Sequence, residues 1–315
     1  MQLIASQSAG SGKFVDPRLT ADGKPRASVA LQVLETVWFN TGTLCNLTCE
    51  NCYIESSPSN DRLVYLGRDD VRAYLEEISH AAYPVKEIGI TGGEPFMNPE
   101  IIGILTDCLD AGFEVLVLTN AMRPMLKHAD ELLTLGDRFT GQLTIRVSVD
   151  HYDQALHEQE RGRRSWRPML EGLKWLSDQG FRVHVAGRTR WGGDEDALRA
   201  GFTRWFEAEG IRVDALDHKA LILFPEMDAS AAVPEITTAC WDILGVDPNS
   251  MMCASARMVV HRKGAAHPEV VACTLLPYEP AFSLGERLAD SLEPVALNHP
   301  HCARFCVLGG GSCSN

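Results

Sequence analysis

Cys45-Asn46-Leu47-Thr48-Cys49-Glu50-Asn51-Cys52 sets three thiols at C-x3-C-x2-C spacing on one short loop. The residues just before it, 35–40, read ETVWFN and have strand character, so the loop leaves a strand end. Thiolates this close in sequence can face a common point, and soft sulfur suits iron–sulfur clusters and zinc. Ten cysteines in 315 residues would produce this spacing by chance in about one chain in a hundred. A zinc site asks for a fourth ligand, and the nearest histidine, His80, falls inside a helical pattern. A four-iron cubane held by three cysteines keeps one iron open to another ligand.

Outward from this loop, strand and helix patterns alternate. Residues 68–83 carry Val71, Tyr74, Leu75 and Ile78 at helical spacing, and 85–90 is a strand. Asn98-Pro99-Glu100 has the cap residue, proline and acidic residue of a helix start, and that helix runs to Gly112. Strands at 113–119, 143–149, 181–186 and within 219–224 follow. Helices at 124–136, from Ser165 to Gly180, and at 194–210 separate them. Such alternation implies an α/β fold, a parallel sheet with helices outside. Periodicity alone allows a barrel or an open sheet. Residues 1–34, rich in Gly, Ser, Ala and Lys, are expected to be a mobile or loosely attached extension. Residues 225–252 read as a connection with a short helix at 235–244. Residues 253–315 hold five of the ten cysteines and a hairpin, 256–261 with 269–273, around Gly264. A second, small domain is expected there.

The net charge of −13 excludes a broad nucleic-acid surface. No apolar run approaches the ~20 residues that span a membrane. The first twelve residues lack the basic and apolar regions of a signal peptide, so a cytoplasmic chain with reduced thiols is expected.

Thr91-Gly92-Gly93-Glu94-Pro95 follows the second strand. In a parallel sheet that is the end where ligands bind, and paired glycines allow close approach to the backbone. Glu94 can accept a hydrogen bond from an ammonium group.

With this loop one unit after the thiols, the chain resembles the radical S-adenosylmethionine (SAM) superfamily. The resemblance implies a partial (β/α)6 barrel over residues 35–224. It implies a 4Fe–4S cluster on Cys45, Cys49 and Cys52, with SAM beside it. Gly92, Gly93 and Glu94 match the motif that takes the amino group of SAM. Leu118-Thr119-Asn120 resembles the third strand end, and Val147-Ser148-Val149-Asp150 the fourth, so Asn120, Ser148 and Asp150 are expected near SAM. HEQERG at 157–162 is typical of the subgroup containing molybdopterin-synthesis and sulfatase-maturing enzymes. Arg188, past the fifth strand, is expected at the SAM carboxylate. The residue before the third cysteine is usually aromatic; here it is Asn51, and Tyr53 is expected to supply part of that packing beside the adenine. The chemistry implied is reductive cleavage of SAM to methionine and a 5′-deoxyadenosyl radical that takes a hydrogen atom from substrate. An electron donor such as flavodoxin or ferredoxin is implied with it.

Cys253, Cys273, Cys302 and Cys306 resemble the ligands of a shortened auxiliary-cluster domain (Twitch/SPASM type), which implies a second 4Fe–4S cluster. The Gly264-to-Cys273 spacing is longer than in that pattern. Cys313 is the substitute ligand, and a structural zinc site, joined by His299 or His301, is the rival reading. Cys108 and Cys240 read as core thiols.

Arg161, Arg163, Arg164 and Arg167 read as a solvated helix end paired with Glu158 and Glu160. Arg188 and Arg190 follow the fifth strand. The substrate is expected to be a small molecule, since about 35 residues before the first strand are few for a peptide-leader domain. A ribosomal-peptide maturase is the alternative. A non-catalytic iron–sulfur or zinc electron-transfer protein, the reading from another class, would not need Gly92–Glu94, Ser148 or Asp150. A hydrolase finds no nucleophile–base pattern.

Overall fold

The computed structural model of the chain describes residues 12–192, 194–226 and 232–311. Cys313 lies outside the described residues. A short strand, β1 (Ser28–Val29), precedes β2 (Thr36–Asn40), whose five residues are all buried. Then come α1 (Arg68–Ala81), β3 (Glu87–Thr91), α2 (Ile101–Asp110) and β4 (Glu114–Thr119). The next crossover holds α3 (Arg123–Leu126) and α4 (Ala129–Arg138), leading to β5 (Leu143–Asp150). After it come α5 (Gln154–Arg161), α6 (Trp166–Asp178), β6 (Arg182–Arg188), α7 (Glu195–Glu209) and β7 (Leu221–Phe224).

Strands β2 to β7 pair in chain order and in parallel, as six strand–helix units require. Alternate strand residues explain the two faces. Val37, Phe39, Ile88, Ile90, Val115, Val117, Ile145 and Val147 join the helices in the main core. Trp38 and Leu116 point the other way, into a smaller inner core. Both faces are buried, which is why these strands read as nearly continuous apolar runs. The helix expected over 124–136 is two helices, because His128 leaves helical geometry at the N-cap of α4.

The expected hairpin forms but does not stand apart. After α8 (Cys240–Leu244), β8 (Ala256–Val260) pairs in parallel with β2, so it extends the barrel sheet. Antiparallel β9 (Glu269–Val271) and β10 (Ser283–Gly285) continue it to nine strands. The short helix expected at 235–244 begins only at Cys240.

The start of the chain departs most from expectation. Residues 12–34 are docked rather than loosely attached. β1 pairs with β11 (Val295–Ala296), and Ala27 and Val29 are buried in a core shared with Leu275, Leu276, Phe282, Leu297 and Phe305. Arg26 pairs with Glu235 and donates to the carbonyls of Asp16 and Leu19. Of the apolar residues in this segment, Ala27, Val29 and Phe14 meet this second core, Leu31 and Leu34 meet the main one, and Val15 and Leu19 stay exposed. Among the described residues no helix is long and apolar enough to cross a membrane.

Candidate active site

The cysteine loop leaves the carboxyl end of β2 and folds over the mouth of the barrel. One cavity there is lined by Cys45, Cys49 and Cys52 together with Gly92, Gly93, Asn120, Ser148, Asp150 and Arg188. They come from the ends of five successive strands, β2 to β6, so the alternation of strands and helices is what gathers residues 45 to 188 around one space. Tyr53 lines the same cavity.

The loops are fitted to each other closely. A Cβ on Gly92 would lie 2.6 Å from the carbonyl oxygen of Gly42, and one on Gly93 2.2 Å from that of Leu44. The paired glycines therefore serve first to pack the β3 loop against the cysteine loop. Gly93 N donates to Gly42 O at 2.8 Å and Glu94 N to Leu44 O at 3.1 Å.

Glu94 is buried, and its carboxylate turns into the end of β4 instead of lining the cavity. It accepts from Thr119 Oγ1 at 2.8 Å, Asn120 N at 2.9 Å and Phe96 N at 3.2 Å. Burial pushes its carboxyl up to about 7, against those three hydrogen bonds. Asn120, held in this way, donates through Nδ2 to Asn46 Oδ1 at 2.9 Å.

Asp150 stands at the end of β5 with a positive φ of 63°, after a register shift against β6. Its Oδ2 lies 2.6 Å from Arg161 Nε and its Oδ1 3.1 Å from Arg188 Nε. Burial favours the neutral acid, but the charges of Arg161 and Arg188 outweigh it and hold the carboxyl below its usual range.

Arg161 is the residue that sequence reading misplaced. It lines the cavity on the inner face of α5, and its side chain is 12% exposed. Arg163, Arg164 and Arg167 are exposed, as expected of a helix end. Glu160, read as a surface partner, is also buried, accepting from Arg190 Nη1 at 2.6 Å. His157, Glu160 and Arg161 share the inner face of one helix, and that spacing was the available signal.

Burial pushes the Cys45 thiol up to about 12. It raises Cys49 too, against the opposing pull of Arg161. Such thiols are poor free nucleophiles; they lose their protons to a bound metal. Three of them on a loop over a cavity with both cationic and anionic walls fit a cluster with an open iron and a zwitterionic ligand. Beyond them the wall is apolar: Leu118, Phe224, Pro225, Leu275 and Phe305, the last two contributed from the C-terminal region.

The other four sequence-selected thiols also come together. Cys253, Cys273, Cys302 and Cys306 line one small cavity with Met251, Met252, Phe282, Val295 and Leu297. Cys302 and Cys306 lie on a π-helical turn, Cys302–Val307, whose Phe305 stacks near Phe224 at 5.8 Å. The second thiol set is thus joined to the wall of the first site. His299 and His301 are not among the residues lining it. Among the described residues no three His, Cys, Asp or Glu side chains close on a point as they would around one ion. Cys108 is a core thiol, and Cys240 packs at the edge of the second core.

A parallel half-barrel with three thiols over its mouth defines a class. Residues 39–204, just over half of the chain, match the Radical SAM superfamily, and the chain belongs to it. Members of that superfamily are enzymes using SAM and a 4Fe–4S cluster. Among curated relatives, the antilisterial bacteriocin subtilosin biosynthesis protein AlbA of Bacillus subtilis (strain 168) is 33% identical over 148 residues, 45% of this chain and 30% of AlbA. GTP 3′,8-cyclase of Tolumonas auensis is 26% identical over 186 residues, 59% of this chain and 52% of that enzyme. The chain therefore matches about a third to a half of the length of these relatives. In fold it is similar to Streptococcus suis SuiB bound to S-adenosylmethionine, with TM-score 0.56 at 12% identity over 81% of this chain and 63% of that one. It is also similar to anSMEcpe with bound AdoMet, with TM-score 0.58 at 12% identity over 82% and 77%.

Proposed function

We propose that this chain cleaves SAM reductively, with Cys45, Cys49 and Cys52 holding the 4Fe–4S cluster and SAM lying in the cavity beside them. The observation carrying this reading is that three thiols and the ends of five further strands, β3 to β7, line one space. When bound, the cluster supplies the electron that splits SAM into methionine and a 5′-deoxyadenosyl radical, which takes a hydrogen atom from the substrate.

The protein's part is to bind, orient and exclude water. Arg161 beside Cys49 eases loss of the thiol proton on loading. Asp150 fixes Arg188 so that its guanidinium can meet the carboxylate of SAM. Asn120 and Ser148 offer neutral hydrogen bonds. Glu94 holds Asn120 in place, and an ammonium group nearby would draw its carboxyl to the ionised form. Tyr53, Leu118, Phe224 and Phe305 keep the reacting end dry.

Cys253, Cys273, Cys302 and Cys306 are assigned to a second 4Fe–4S cluster. Four cysteines leave no iron open, which favours electron transfer or a structural role over substrate binding. A small-molecule substrate at the apolar end of the cavity, a cytoplasmic setting and a flavodoxin- or ferredoxin-like donor complete the reading. Similarity to AlbA favours a second reading, a peptide substrate.

The test is anaerobic reconstitution, with iron and sulfide counted and 5′-deoxyadenosine assayed after dithionite and SAM are added. About eight irons per chain with product formed is the expected result. About four irons and one zinc with product would keep the activity and overturn the second cluster. Intact SAM with several reductants would overturn the activity.

A further inference from the structure

Arg257 lies on β8, opposite Val37 of β2, and is 0% exposed. A guanidinium at that depth is costly unless a negative charge answers it. Its Nε donates to Ser291 O at 2.8 Å, and its Nη1 to Cys253 O at 2.6 Å and Ala256 O at 2.8 Å. Its Nη2 is buried and has no hydrogen-bond partner among the described residues. None of the ion pairs among the described residues includes it, so carbonyl dipoles are its visible partners.

The groups that can supply charge are the thiols. The hydrogen bond from Arg257 Nη1 to the carbonyl of Cys253 sets the guanidinium beside that thiol's residue, and Cys273 lies across the same four-cysteine cavity. Among the described residues Arg257 has no carboxylate partner; four thiolates on a 4Fe–4S cluster or a zinc ion would make the site net anionic.

We propose that Arg257 is the counter-cation of the four-cysteine site and raises the electron affinity of the group bound there. The inference rests on the assignment of a second 4Fe–4S cluster to Cys253, Cys273, Cys302 and Cys306. A fixed positive charge stabilises the reduced, more negative cluster more than the oxidised one. A merely structural Arg257 would tie the turns at Met252–Ala254 and Leu288–Ser291 through carbonyls and leave the potential alone.

The experiment is a redox titration followed by electron paramagnetic resonance in the full chain carrying Cys49→Ala, so that the signal belongs to the second site. Arg257→Gln should lower the ratio of reduced to oxidised cluster at fixed potential roughly tenfold, about 59 mV for one electron. Arg257→Lys, which keeps the charge, should recover most of that. If Arg257→Gln does not accumulate folded, Arg257→Met takes its place. A charge-removing variant with the parent potential overturns the proposal. Metal counts on the parent protein separate this from failure of the cluster assignment. If the four cysteines hold zinc, that assignment fails, and retention against a chelator decides: faster zinc loss from Arg257→Gln than from Arg257→Lys supports a counter-cation, and equal loss overturns it. No metal on these thiols overturns both.

Discussion

Asn51 and Glu160 face each other through two hydrogen bonds, Asn51 N to Oε1 and Asn51 Nδ2 to Oε2, each 2.9 Å. Glu160 O also accepts from Glu50 N at 2.8 Å, so the cysteine loop is pinned to the end of α5. Asn51 stands where the family usually has an aromatic residue, and here that position is a polar clasp. Asn51→Ala removes a hydrogen bond to a charged group, about 1.5–3 kcal/mol. Asn51→Asp sets a second carboxylate against the buried Glu160 and should loosen the loop further. Iron retained after exposure to a chelator should fall in the order native, Asn51→Ala, Asn51→Asp. Full retention in Asn51→Asp would show that the clasp does not hold the loop.

Arg161 and Arg188 share Asp150, so removing Arg161 takes the nearer, 2.6 Å partner from a buried carboxylate and leaves it the 3.1 Å contact with Arg188. Arg161→Met should destabilise the metal-free protein by about 1.5–3 kcal/mol, the range for losing one buried hydrogen-bonding partner of a charged group. Arg161→Lys should not restore stability fully, because an ammonium cannot reproduce the planar guanidinium contact. Denaturant unfolding of the three proteins measures this. A loss below about 1 kcal/mol in Arg161→Met, typical of an exposed pair, would place the pair in solvent.

The barrel was legible because its strands are buried on both faces and its loops carry spaced cysteines and paired glycines. Boundaries within two or three residues followed from apolar runs such as Val115, Leu116 and Val117. What escaped was contact between segments distant in the chain. Nothing local in residues 12–34 says that Arg26 pairs with Glu235. Nothing in Ala256–Val260 says that it joins β2. Arg161 and Glu160 were misread because a charged run at a helix end is ordinarily solvated, and only the fold over the cavity makes their face an inner one.

Gly93 gives a test of loop against loop. An added methyl would lie 2.2 Å from Leu44 O and 2.8 Å from Thr43 O, both backbone atoms unable to swing aside. Gly93→Ala should therefore displace the loop carrying Cys45 and cost about 1–3 kcal/mol. Gly112→Ala meets no atom within 4 Å but has a φ of +88°, so it serves as a control for strain without collision. Iron content should fall in Gly93→Ala and hold in Gly112→Ala. Equal iron in both would mean that the β3 loop yields without moving the cysteines.

His157 makes stability depend on pH. Its Nδ1 lies 2.6 Å from Val149 O, and its ring is fully buried against Trp166. Burial, then the charge of Arg161, lowers its pKa from 6.5 to about 4, although Asp150 and Glu158 pull the other way. The unfolded chain therefore binds the proton more readily than the native chain. The contribution is fully present above about pH 6.5 and is lost as pH falls toward 4, by roughly 3 kcal/mol in all. His184 is lowered to about 4 as well, so a comparison with a variant isolates His157. Urea unfolding of the metal-free native protein and of His157→Gln, from pH 7.5 to 4.5, should show the stability gap closing as pH falls. A gap that stays constant over that range would mean that His157 keeps an ordinary pKa in the folded protein.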